Sequence, residues 1–197
     1  MECDRYWLLT STTYGTRLPG EQRGFVGPVA DGRGGHVIHN VPQTPYDEDL
    51  PALRRHARAA MKGEPVFLRR AQAEVVWVQF QETAAYRHWQ LLAAAVMTNH
   101  FHLVVGTPGD PDPATMLRDF KSYASRALSR RWKRPESGTW WTESGSRRKL
   151  PHRQVVLQAI HYVKHQLHPL VLWYHEEFRD PPGESNHFRE PPGERGM

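Results

Sequence analysis

At 197 residues with 39% hydrophobic positions, the chain suits one compact domain with irregular additions rather than two full domains. Lys and Arg outnumber Asp and Glu by 26 to 21 and the pI is about 9.6, a basic excess that permits a nucleic-acid partner without requiring one. The lone Cys3 excludes an internal disulfide and a cysteine-based zinc cage, the start MECDRYWLL lacks a signal-peptide pattern, and the apolar run Leu91 to Met97 is too short to span a membrane, so a soluble, cytoplasmic protein of a reducing compartment with no membrane partner is expected.

In chain order, residues 5–14 are rich in β-branched and aromatic residues and predict a first strand. Residues 15–50 carry scattered Gly and Pro and predict a long irregular insertion, a length uncommon in a compact domain unless it serves function. Pro51 opens a short predicted helix over 51–60, and a second helix is expected after Pro65, running through Tyr86. The apolar runs 89–97 and 100–106 flank Thr98-Asn99 and predict a hairpin of two buried strands. A helix from Asp110 to Arg134 follows, with Leu117, Phe120, Ala124 and Leu128 as its apolar stripe. A strand at 147–150 and a last helix at 154–166 complete the order. That order is the split βαβ arrangement, so the expected class is α+β: a ferredoxin-like antiparallel sheet with helices packed on it, plus a C-terminal helix. Residues 1–176 form the single predicted domain, and 177–197, a near-repeat of Phe-Arg-Asp/Glu-Pro-Pro-Gly-Glu, read as a flexible tail.

Two features carry chemistry. His100 and His102 alternate with Phe101 at the start of a strand, so their side chains project from one face about 6.5–7 Å apart and can grip one ion from the same side. The same pair also occurs as ordinary polar residues at a strand end. A histidine-triad hydrolase would need a third alternating histidine, where Val104 stands. Tyr123 lies beside the apolar stripe of the helix at 110–134. Taken alone it reads as a helix tyrosine capping the core. Its surroundings are strongly basic, with Arg118, Lys121, Arg126, Arg130, Arg131, Lys133 and Arg134 against only Asp119. A phenol with a pKa near 10 attacks phosphate at neutral pH only where cations stabilise its phenolate. Tyr123 is therefore the expected nucleophile.

The run Val96-Met97-Thr98-Asn99-His100-Phe101-His102-Leu103-Val104-Val105 resembles the HUH signature (histidine, hydrophobic residue, histidine) of single-tyrosine transposases, above all the REP-associated tyrosine transposases. In order along the chain, Tyr14-Gly15-Thr16-Arg17-Leu18-Pro19, Phe120-Lys121-Ser122-Tyr123, Trp140 to Ser146 and Ala159 to Gln166 are similar to further segments of that family, over about residues 5–176. The resemblance implies an HUH endonuclease acting in DNA transposition and recombination: it nicks and rejoins single-stranded DNA through a 5′-phosphotyrosine, recognises palindromic hairpins, and uses Mg²⁺ or Mn²⁺, as a monomer or homodimer. It also implies a third metal ligand one helical turn after the tyrosine, commonly glutamine. After Tyr123 that position is Ala127, which leaves Asp119, one turn before, as the candidate substitute. The expected DNA contacts are Arg17, Arg23, Lys121, Arg126, Arg130, Arg147, Arg148 and Lys149 to phosphates, with Trp140 and Trp141 stacking on bases or, for one of the two, packing in the core beside the last strand. Trp7, Trp77 and Trp89 read as core. Two other readings stay open: a domesticated hairpin-binding module without catalysis, and a metal-dependent phosphoesterase that uses water.

Overall fold

The computed structural model describes residues 3–22, 27–30, 35–40, 44–45 and 47–178. Its centre is a five-stranded antiparallel sheet in the order β6-β1-β5-β4-β7. The strands are β1 (Arg5–Thr12), β4 (Gln90–Val96), β5 (His100–Thr107), β6 (Ser146–Lys149) and β7 (Val171–Tyr174). Without β7 this is the expected ferredoxin-like order. β7 is the unpredicted addition: four residues too short to stand out in the sequence, pairing Ala93 to Val96 of β4. The insertion at 15–50 is not wholly irregular. Its described part holds a separate two-stranded sheet of β2 (Gly27–Ala30) and β3 (His36–His39), whose Gly- and Pro-rich surroundings conceal the strand pattern. Helix α1 (Pro51–Ala59) follows as expected, and the expected tail lies outside the described residues from 179 onward. Among the described residues no helix is long and apolar enough to cross a membrane.

The pleat divides the core in two. On one face Leu9, Phe101, Leu103 and Val105 meet α2 (Arg70–Arg87) and α3 (Pro113–Ser129) through Val76, Phe80, Phe120 and Leu128. Phe80 stands edge-on to both Phe101 and Phe120, with ring centres 4.8 and 5.4 Å apart. Trp7, Trp77 and Trp89 pack against this cluster, as expected. On the other face Val104, Ala93 and Ala95 meet α4 (Arg153–Lys164) through Val156, Ala159, Ile160 and Val163. The small alanines of β4 let α4 lie close to the sheet. Period-two alternation therefore assigns the helices to opposite sides, α2 and α3 on one and α4 on the other.

Asp112 caps α3 through its side chain, accepting from the N–H groups of Ala114 and Thr115 at 3.1 and 3.0 Å. Further along, Asp119 forms an ion pair with Arg87 of α2, Oδ2 to Nη2 at 2.6 Å, with its own side chain only 11% exposed. Asp119→Asn should lower stability by about 1–3 kcal/mol, the cost of leaving a partly buried charge without its partner, and leave metal affinity unchanged. Urea unfolding alongside a Mn²⁺ titration checks both halves.

Candidate active site

The two histidines stand where the pleat predicts, their rings 4.8 Å apart at the start of β5, on the α4 face of the sheet. His100 Nδ1 lies 2.6 Å from Asn99 Oδ1. An amide oxygen only accepts, so this nitrogen carries the proton and the lone pair sits on Nε2. His102 Nδ1 lies 2.7 Å from Thr10 Oγ1 of β1, a residue brought opposite it by strand register. Each ring is thus held through Nδ1, leaving Nε2 as the nitrogen available for a ligand, the arrangement that orients metal-binding imidazoles.

What meets these nitrogens comes from α4. Tyr162 places its hydroxyl 3.4 Å from His102 Nε2, with the rings edge-on and 5.1 Å apart. The residue as a whole is 49% exposed. Gln166, four residues on, brings its side chain close to the His100 ring and donates from Nε2 to Tyr162 O at 3.1 Å. Arg17 adds a positive charge beside His100. Two imidazoles, an amide and a phenol therefore converge from two segments of the chain, with the Arg17 charge from a third.

Burial lowers the His100 pKa to about 4, helped by the Arg17 charge, and the His102 pKa to about 3, helped by His100. Both rings are neutral at physiological pH, the form that binds metal. The sign of the pH dependence follows. Between these values and the ordinary 6.5 the unfolded chain binds protons that the folded one refuses, so stability falls as pH drops from 6.5 toward 4. Thermal unfolding in chelator should show this fall, and His102→Asn should make it shallower.

Several expected site residues are elsewhere. Tyr123 is on α3, across the sheet from the histidines, with Arg126 stacked 5.2 Å from its ring centre. Asp119 is on the same helix, engaged with Arg87, and is no third ligand to this pair. Ala127 beside them lines a groove against α2. The Lys121 ammonium donates to the carbonyls of Thr142, Glu143 and Ser144 at 2.5, 2.8 and 3.1 Å, so it closes a loop rather than offering itself to phosphate. Trp140 and Trp141 are 4% and 2% exposed and cannot stack on bases. Trp140 donates to Ser129 Oγ, and Trp141 donates to Lys121 O and stands edge-on to Phe101.

Of the expected phosphate contacts, Arg17 is at the site and Arg23 lies outside the described residues. Arg126 and Arg130 are exposed on α3. Arg147, Arg148 and Lys149 are exposed on the edge strand β6, where register with Leu9, Leu8 and Trp7 puts Arg148 on the histidine face and the other two on the α3 face. Reasoning from sequence missed Tyr162, Gln166, Thr10 and Asn99. The signal for the first two was present in Tyr162-Val163-Lys164-His165-Gln166, a tyrosine with glutamine one helical turn later. No sequence signal pairs Thr10 with His102.

The donor set suits a divalent cation. Neutral imidazole nitrogens and an amide oxygen fit Mn²⁺ well and Mg²⁺ less well, since the latter prefers oxygen alone. Among the described residues no three His, Cys, Asp or Glu side chains cluster, so these residues offer no anionic cage and an ion here would complete its shell with water and phosphate oxygens.

Comparison with known proteins sets this geometry beside relatives. The chain is similar in fold to a solved REP-associated tyrosine transposase bound to a REP hairpin, at 12% identity and a TM-score of 0.46, over 83% of this chain and 66% of that one. It therefore spans just under two thirds of that protein's length. No curated protein matches it. A family model described as "Transposase IS200 like" matches residues 53–166, more than half of the sequence, beginning in α1 and ending on Gln166. The chain belongs to the IS200-like transposase family.

Proposed function

We propose that this protein nicks and rejoins single-stranded DNA with Tyr162, not Tyr123, as the nucleophile. The observation that carries the reading is the approach of the Tyr162 hydroxyl to His102 Nε2, at 3.4 Å, with Gln166 one turn further against His100. His100, His102 and Gln166 would hold a divalent cation, Mn²⁺ or Mg²⁺. When bound, such an ion supplies positive charge to a phosphate and stabilises the charge that develops on it.

The chain's own residues do the rest. Tyr162 attacks a backbone phosphorus; its oxygen–phosphorus bond forms as the bond to the 3′ oxygen breaks. One strand end becomes a 5′-phosphotyrosine and the other a free 3′-hydroxyl. Attack by that hydroxyl, or by another, reverses the step, so strands are exchanged with no nucleotide consumed. Arg17 stands where it can neutralise phosphate charge and favour the phenolate. Asn99 and Thr10 keep the imidazoles from turning away. Their neutral state, enforced by burial, keeps both lone pairs available.

Hairpin DNA is the proposed substrate. Exposed Arg126, Arg130, Arg147, Arg148 and Lys149 would grip its phosphates, which makes affinity fall steeply with salt. Of these only Arg148 shares the histidine face; the others lie at the end of α3 or on the α3 face of β6, so binding and cleavage separate experimentally. The test mixes protein, Mn²⁺ and labelled single-stranded hairpins from DNA flanking its own gene, followed by a denaturing gel. A labelled band at protein mass that disappears with chelator supports the reading. Cleavage with no such band, under the same conditions, means water is the nucleophile. Binding with no cleavage of any strand means a hairpin-binding module.

A further inference from the structure

The turn that carries Tyr162 and Gln166 straddles the end of a helix. α4 stops at Lys164, His165 is its C-cap, and Gln166 lies beyond the last helical residue. The Gln166 N–H reaches Val163 O at 3.4 Å, Leu167 is 80% exposed, and His168 has φ +55°. A last turn of this kind opens more readily than the middle of a helix. Yet Gln166 must meet His100 while Tyr162 meets His102.

Lys164 sits between the two. Its Nζ donates to Phe178 O at 2.9 Å and stands 4.7 Å from the centre of the Tyr174 ring. Neither partner belongs to α4. Tyr174 is in β7, paired with Ala93 of β4. Phe178 ends a turn of 3-10 helix (Glu176–Phe178) and packs against the apolar cluster under α4. The connecting backbone is fastened to β4 as well, Leu170 N–H donating to Val96 O at 2.8 Å and His175 N–H to Leu92 O at 3.0 Å. So the segment past 170 is tied to the sheet, and Lys164 is tied to that segment. Both anchors lie beyond Gln166, where the family match ends.

We infer that Lys164 is a positioning residue: by fastening the end of α4 to β7 and the 3-10 turn, it holds Tyr162 and Gln166 in register with His100 and His102. The inference rests on the roles proposed for those four residues. A lysine near a helix C-terminus also complements the helix dipole, but that role needs only its charge. The fastening needs the Tyr174 ring and the Phe178 carbonyl too.

The test uses the full chain with Lys164→Met, Lys164→Arg and Tyr174→Leu. Mn²⁺ affinity is read without DNA from the free-ion paramagnetic signal, and adduct formation is read at saturating hairpin DNA. Lys164→Met should weaken Mn²⁺ binding and slow the adduct roughly tenfold each, the usual scale for a group that orients ligands. The DNA concentration for half-maximal rate should stay unchanged, and Tm should move by less than about 3 °C. Lys164→Arg should restore both to within about twofold, because a guanidinium keeps the donor and the ring contact. Tyr174→Leu should show an intermediate loss. Wild-type values in Lys164→Met overturn the inference, as do losses that track a fall in Tm, or a Tyr174→Leu variant indistinguishable from wild type. A wild-type protein that binds Mn²⁺ but forms no adduct overturns the tyrosine reading instead, and the Mn²⁺ arm then decides this one.

Discussion

Tyr162→Phe should abolish the covalent protein–DNA adduct, by at least about 10³-fold, while Tyr123→Phe leaves it at the wild-type rate. The substitution removes one oxygen and keeps the ring. In Tyr162→Phe the ring still packs edge-on against His102, so the imidazole keeps its orientation and Mn²⁺ affinity should change little. What is lost is the atom that bonds to phosphorus. In Tyr123→Phe the Arg126 contact to the ring survives, and no group near the histidines changes. A denaturing gel of both variants beside wild type reads the outcome. Adduct lost in Tyr123→Phe and kept in Tyr162→Phe would sink the proposed site. Strand cleavage kept in both, with no adduct in either, would pass the role of nucleophile to water.

The second large effect is on stability. Trp141→Ala should cost about 3–5 kcal/mol, the range for removing a large aromatic from a packed core. The ring is 2% exposed, stands 5.2 Å from Phe101 at a near-perpendicular 89°, and donates from Nε1 to Lys121 O at 3.1 Å. Its loss opens a void behind the strand that carries His100 and His102, and leaves a carbonyl of α3 without its partner. If Trp141 instead stacked on bases, the variant would unfold like wild type and bind single strands more weakly. Guanidinium unfolding and a hairpin titration on the same preparation separate these results.

The fold and the histidine pair were legible in the sequence for one shared reason. The apolar runs along 89–106 and the helical stripe on α3 are local patterns, and local patterns survive in one dimension. The HUH pair needs only the pleat of a single strand to be correct. The proposed nucleophile needs more, because which side of the sheet a helix covers is decided by connections and packing, not by its own residues. Basic residues around Tyr123 made it attractive, and the glutamine was then sought four positions after it, where Ala127 stands. The same spacing from Tyr162 to Gln166 answers the pattern, on a helix that the sheet places opposite. The tryptophans were misjudged because an aromatic pair near a basic segment looks alike whether it faces solvent or the core. Lys121 was misjudged because its carbonyl partners, at 142–144, lie more than twenty positions away in the chain.

The pleat of β5 has a consequence for how such a chain can change over generations. Phe101, Leu103 and Val105 belong to one side of the ribbon and His100 and His102 to the other. Point changes on either side can accumulate independently. An inserted or deleted codon in the tight turn at 97–99 cannot, because it would carry imidazole into the packed interior and phenylalanine out to the ligand position together. Length is therefore frozen at this turn, and drift beside the histidines should be written as substitutions rather than as indels.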